Sequence, residues 1–118
     1  MINSYKQLIV WQKSVALVSA VYELAEKFPK EELYGLASQI KRAAVSISSN
    51  IAEGRRRTTR KDFTHFVSIA YGSAAELETQ IEIIKNLPFG EKLMYTKVDS
   101  LLVEVVKMLN KMLSSLKS

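Results

Sequence analysis

Between Leu33 and Arg60 the chain reads LYGLASQIKRAAVSISSNIAEGRRRTTR, and Leu36, Ile40, Ala43, Ile47, Ile51 and Gly54 recur three or four residues apart. Gln39, Arg42, Ser46, Ser49, Asn50 and Glu53 fall on the opposite side, so the segment predicts an amphipathic helix with an organised polar face. Such a stripe has to be buried against other elements of the fold. The small residues Ala37, Ala43, Ala44, Ser46, Ser48 and Ser49 permit a close approach, and Val45, Ile47 and Ile51 supply bulk. Arg55-Arg56-Arg57-Thr58-Thr59-Arg60-Lys61 then closes the segment as a basic corner.

Upstream, Leu8, Trp11, Val15, Val18, Tyr22 and Ala25 form one helical stripe, with Val10, Leu17, Val21, Leu24 and Phe28 beside it. Two readings fit this width: a helix embedded in its own bundle, or a helix facing its own core on one side and another subunit on the other. A short bundle has little interior for both stripes, which favours the second. Pro29 breaks the pattern and Gly35 weakens the opening of the next helix, so the second helix is expected to return antiparallel to the first.

Gly54 can take a left-handed terminating conformation, or the run can continue helically before breaking, and Thr59 with Asp62 three residues later resembles a capping box that starts a third helix over about 60–86. Its core stripe is Phe63, Phe66, Ala70, Ala74, Leu77, Ile81 and Ile84. Gly72, costly in a helix interior, suggests a close neighbouring backbone. Pro88-Phe89-Gly90 turns the chain into a fourth helix, beginning between Glu91 and Thr96, with Val98, Leu102, Val105, Leu109, Met112 and Leu116 on its core side and Met94, Leu101 and Met108 alongside. The expected fold is all-α, an antiparallel up-down-up-down four-helix bundle forming a single domain over residues 1–118.

With 17 Lys and Arg against 12 Asp and Glu, the net charge of +5 favours polyanions without identifying one. There is no Cys, which removes disulfides, thiolate nucleophiles and thiolate metal sites. No window approaches the roughly 20 consecutive apolar residues of a membrane span, and the first residues lack a signal-peptide pattern. A cytoplasmic protein without membrane attachment is the expectation.

Catalytic signals are weak. His65 is the only His and has no metal-ligand set around it, and the paired Glu-x-x-His motifs of a di-metal bundle are missing around Glu53 and Glu76. No metal, cofactor or enzymatic activity is expected; a hydrolase built on Ser46, Glu53 and His65 is the weakest of three functional classes. The polar face of the second helix reads instead as a structural network of Arg42, Ser46, Asn50, Glu53 and Glu76, tying the second helix to the third through Arg42 to Glu76 or Glu53. Arg55, Arg56, Arg57, Arg60 and Lys61 are the candidate nucleic-acid-binding residues, able to contact phosphates without reading bases.

The pattern Leu8-x-x-Trp11, Tyr22, Pro29-x-x-Glu32-x-Tyr34-Gly35-Leu36-x-x-Gln39-x-x-Arg42-Ala43, Ser46-Ile47-x-x-Asn50-Ile51-Ala52-Glu53-Gly54, then Phe63, Phe66 and Ile69-Ala70-x-Gly72-Ser73-x-x-Glu76-Leu77-Glu78-Thr79-Gln80 resembles the family of small proteins encoded in intervening sequences of bacterial 23S ribosomal RNA genes. There is a more distant likeness to the accessory proteins of diversity-generating retroelements. The resemblance implies a four-helix bundle assembling as a ring-like homopentamer, and supplies no enzyme reaction. The expected interface residues are Trp11, Leu17, Leu24, Leu101 and Met108. The expected function is a non-enzymatic, homo-oligomeric, nucleic-acid-associated protein, with RNA slightly favoured over DNA by the family's genetic context. Its alternative is a structural or protein-recruiting ring whose Arg-rich corners meet an acidic protein.

Overall fold

A computed structural model of the chain describes residues 4–117. Four helices carry the fold: α1 over Ile9–Ala25, α2 over Leu36–Arg55, α3 over Arg60–Lys85 and α4 over Thr96–Lys117. Short 3-10 turns at Tyr5–Gln7, Lys30–Glu32 and Pro88–Gly90 precede α1, α2 and α4, and no strand occurs among the described residues.

Cross-helix contacts fix the directions. Ser46 meets Ser73 and Gln39 meets Gln80, so α2 and α3 run antiparallel. Lys85 reaches Asp99 at one end of the α3–α4 pair, while Arg60 reaches Ser115 and Leu116 at the other. The Lys13–Glu104 and Lys97–Glu23 pairs close α4 against α1, and the Tyr22–Lys41 and Tyr5–Arg56 contacts align α1 against α2. The result is the expected antiparallel up-down-up-down bundle, 45 Å long and about half as wide.

Its core is one line of apolar side chains from all four helices. Leu17 and Val21, Ile40, Ile47 and Ile51, Leu77, Ile81 and Ile84, and Val105 and Leu109 are buried almost completely. Each contributes about 1.5–3 kcal/mol relative to an exposed side chain. Ser14, fully buried among them, is satisfied by donating to the Trp11 carbonyl at 2.7 Å.

The wide apolar face of α1 divides differently from the expectation. Leu17, at 0% exposure, and Leu24, at 5%, belong to the chain's own core, so neither is an oligomer contact. The reason is geometric: α1 lies in the angle between α2 and α4, and these two neighbours cover that stripe. Val15 and Tyr22, from the other stripe, are the ones left exposed. Trp11, Leu101 and Met108 are partly buried and pack against the core.

The glycines of α2 and α3 play different parts. Of the two courses expected at Gly54, the chain takes the helical one: no described glycine has positive φ, and α2 continues through Arg55. The missing side chain of Gly54 serves packing: a Cβ there would stand 2.8 Å from the Phe66 Cβ and 3.2 Å from the Phe63 Cδ1. Gly72 has no such neighbour, because it sits on the exposed side of α3 with nothing within 4 Å of an added Cβ.

Candidate nucleic-acid interface

Only four residues separate α2 from α3, so the basic run is displayed at a sharp helix-helix corner. The Thr59 side chain accepts the Asp62 N–H at 3.1 Å and caps the start of α3, which is the half of the expected capping box that the described residues form. Arg55, Arg56 and Arg57 sit at the C-terminal end of α2, where the helix dipole favours cations. All five candidate residues, Arg55, Arg56, Arg57, Arg60 and Lys61, are exposed.

They are not equivalent. Arg57 pairs with Glu53 at 2.9 Å, one helical turn back, and its guanidinium lies 4.8 Å from the Phe66 ring centre. Arg56 stacks over Tyr5 at 5.3 Å, joining the corner to the segment before α1. Arg60 donates from Nε to the Leu116 carbonyl at 3.2 Å and from Nη2 to the Ser115 carbonyl at 3.0 Å. These are terminal carbonyls of α4 that lack intrahelical partners, so Arg60 caps α4 from the start of α3. Lys61 has no such engagement among the described residues.

The antiparallel fold adds cations that the linear run does not show. Lys6 lies beside Tyr5, and Lys111 lines an apolar groove of about 650 Å³ formed by Leu8, Phe63, Met108, Met112 and Leu116. Both stand at the same end of the bundle as the Arg-rich corner. The signal for them was available once the helix directions were fixed, because the start of α1 and the end of α4 must meet the α2–α3 corner.

The polar face of α2 forms a smaller network than expected. Ser46 and Ser73 share a hydrogen bond of 2.9 Å, and the Asn50 amide donates to the Ser46 carbonyl and hydroxyl at 2.8 and 3.1 Å. Glu76 accepts from the Gln80 amide at 3.3 Å. Arg42 stays outside this network: it is exposed and forms neither of the ties to Glu76 or Glu53 that the sequence suggests. Glu53 is taken by Arg57 four residues on, and short hydroxyls already bridge α2 to α3 at this level.

Nor does the structure assemble Ser46, Glu53 and His65. Ser46 is level with Ser73, so His65 lies roughly 12 Å away along the axis of α3. His65 is exposed and makes an edge contact with Phe66. Among the described residues no group of three or more His, Asp or Glu could hold a metal ion, and no helix is long and apolar enough to cross a membrane.

The profile of the 23S rRNA-intervening sequence protein family matches residues 6–111, nearly the whole chain. The chain belongs to that family. A crystal structure of a protein of unknown function from the S23 ribosomal protein family of Bacteroides thetaiotaomicron VPI-5482 superposes with a TM-score of 0.76. At 23% identity, the match covers 89% of this chain and 98% of that one, and it supports the four-helix architecture of this family member. No curated protein matches the chain.

Proposed function

We propose that this protein is a non-enzymatic, homo-oligomeric, nucleic-acid-associated protein whose basic end contacts phosphates. The observation that carries this reading is the gathering of Arg55, Arg56 and Lys61 with Lys6 and Lys111 at one end of the bundle. Arg57 and Arg60 add charge there while holding the corner in shape. Such contacts position a backbone without reading its sequence. The family's link with 23S rRNA tips the choice toward RNA.

A single corner offers few phosphate contacts, and repetition around an oligomer, pentameric as the family resemblance implies, would let weak contacts act together. Exposed apolar residues on α1 and α2, Val15, Tyr22 and Val45, support self-association. The second reading, a ring that recruits an acidic protein, is favoured by the apolar groove beside the cations. Fluorescence anisotropy with a structured RNA, a single-stranded RNA and a duplex DNA separates the two. Binding to RNA is expected, and failure to bind any of the three turns the assignment to the protein-recruiting ring.

A further inference from the structure

A second polar site lies on the outer side of the α2–α3 pair. Tyr34, Ser38, Gln39, Arg42 and Ser46 face Glu76 across a cleft of about 510 Å³, a volume within the range of small-ligand sites. Arg55, the last residue of α2, stands thirteen residues beyond Arg42, roughly 20 Å at the helical rise, so this cleft is separate from the basic end.

Two opposite charges line the cleft without meeting. Among the described residues Arg42 has no hydrogen bond or ion pair, and Glu76 accepts only the long bond from Gln80. A guanidinium presents a planar fork that suits a carboxylate, and a carboxylate accepts readily from an ammonium group. The two therefore retain complementary capacities on opposite walls of one small space.

Gln80, which bonds to two of the lining residues, points the same way from a further observation. Gln80 occupies a core position of α3, among Leu77, Ile81 and Ile84, and is only 6% exposed. An apolar residue would extend the stripe at no polar cost. Instead the amide nitrogen is directed at the Gln39 Oε1 at 3.4 Å and the Glu76 Oε2 at 3.3 Å, while its own oxygen is buried without a partner. A buried unsatisfied oxygen opposes folding, so the amide is retained at the expense of stability. What it does in return is hold Gln39 and Glu76 in place on the cleft wall.

We infer that this cleft binds a small zwitterion, a ligand bearing both a carboxylate and an ammonium group. Arg42 receives the carboxylate, Glu76 the ammonium, and Gln39 and Ser46 supply neutral hydrogen bonds. Gln80 is a positioning residue. Free amino acids and short peptides share this chemistry, and they differ in the spacing of their two charges.

Isothermal titration calorimetry on the full chain at low ionic strength tests the inference, using glycine, γ-aminobutyrate and glycylglycine, with acetate and ethylammonium as single-charge controls. At least one zwitterion is expected to bind about tenfold more tightly than either control, and glycine against glycylglycine distinguishes the amino-acid from the peptide source. Arg42→Gln and Glu76→Gln, both at exposed positions, are each expected to weaken it by about tenfold or more, the usual consequence of losing a charged hydrogen bond. Gln80→Leu is expected to raise the melting temperature and yet weaken binding, a combination that a purely structural glutamine would not give. No heat from any zwitterion up to about 10 mM, well beyond millimolar affinity, overturns the proposal. So do equal affinities in wild type, Arg42→Gln and Glu76→Gln, or a Gln80→Leu protein that melts at a lower temperature.

Discussion

Gly54 on α2 and Phe66 on α3 approach so closely that a Cβ on the glycine would lie 2.8 Å from the Phe66 Cβ. This contact sets the helix spacing just before the corner that displays the arginines. Gly54→Ala is expected to destabilise the fold by about 1–3 kcal/mol, the usual cost of overpacking, read as a lower urea midpoint. Gly72→Ala provides the contrast, since nothing stands within 4 Å of its added methyl. It is expected to raise stability by up to about 1 kcal/mol through helix propensity, and a loss instead would contradict an open helix face at Gly72.

Arg60 ties the start of α3 to the end of α4 through the Ser115 and Leu116 carbonyls. Arg60→Ala is expected to cost about 1 kcal/mol, with faster amide hydrogen exchange concentrated in the last turns of α4. Uniform exchange rates in the two proteins would show that the clamp does not hold that end.

The helices and their order were legible because their apolar residues repeat with helical period between Pro and Gly interruptions, and Thr59 with Asp62 marks the start of α3. Which of two adjacent stripes on α1 faces inward was not legible. That depends on the angle between α2 and α4, and it placed Leu17 and Leu24 inside while leaving Val15 and Tyr22 outside. Arg42 was misplaced for a related reason: helical periodicity puts it on the same face as Glu53, but eleven residues of helical rise hold the two roughly 16 Å apart, and Arg57, one turn from Glu53, takes that carboxylate. Lys6 and Lys111 are far from the basic run in sequence and join it only through chain reversal.

Lys85 donates to Asp99 at 2.7 Å, and this hydrogen bond, against some burial, raises the ammonium above its usual 10.5. A cation with a raised folded pKa stabilises the fold fully below its unfolded value and loses that contribution as pH climbs through the folded value. The wild-type protein is therefore expected to be more stable than Asp99→Ala by less than about 1 kcal/mol at pH 8, since the pair is partly exposed. Denaturant titrations toward pH 11 should show that gap narrowing; a gap that widens with pH would be inconsistent with the raised ammonium.

Self-association is expected through exposed apolar residues, not through Leu17 or Leu24. Light scattering across a dilution series should give about five times the 13.3 kDa chain mass, and Val15→Glu with Tyr22→Glu should lower it while leaving helical content intact. A monomer at tens of micromolar, where specific interfaces of micromolar affinity would be populated, is the contrary result.

Phosphate contact at the basic end is tested most directly by the salt dependence of RNA binding in two proteins of matched oligomeric state. The variant Arg55→Gln/Arg56→Gln/Lys61→Gln removes exposed charge while keeping the Arg57–Glu53 pair and the Arg60 clamp. Anisotropy titrations at several salt concentrations are expected to show weaker binding by the variant, with the slope of log affinity against log salt reduced by roughly 0.7 to 0.9 for each phosphate the variant no longer neutralises. Equal affinity and equal slope in the two proteins would contradict the assignment of this end as the nucleic-acid interface.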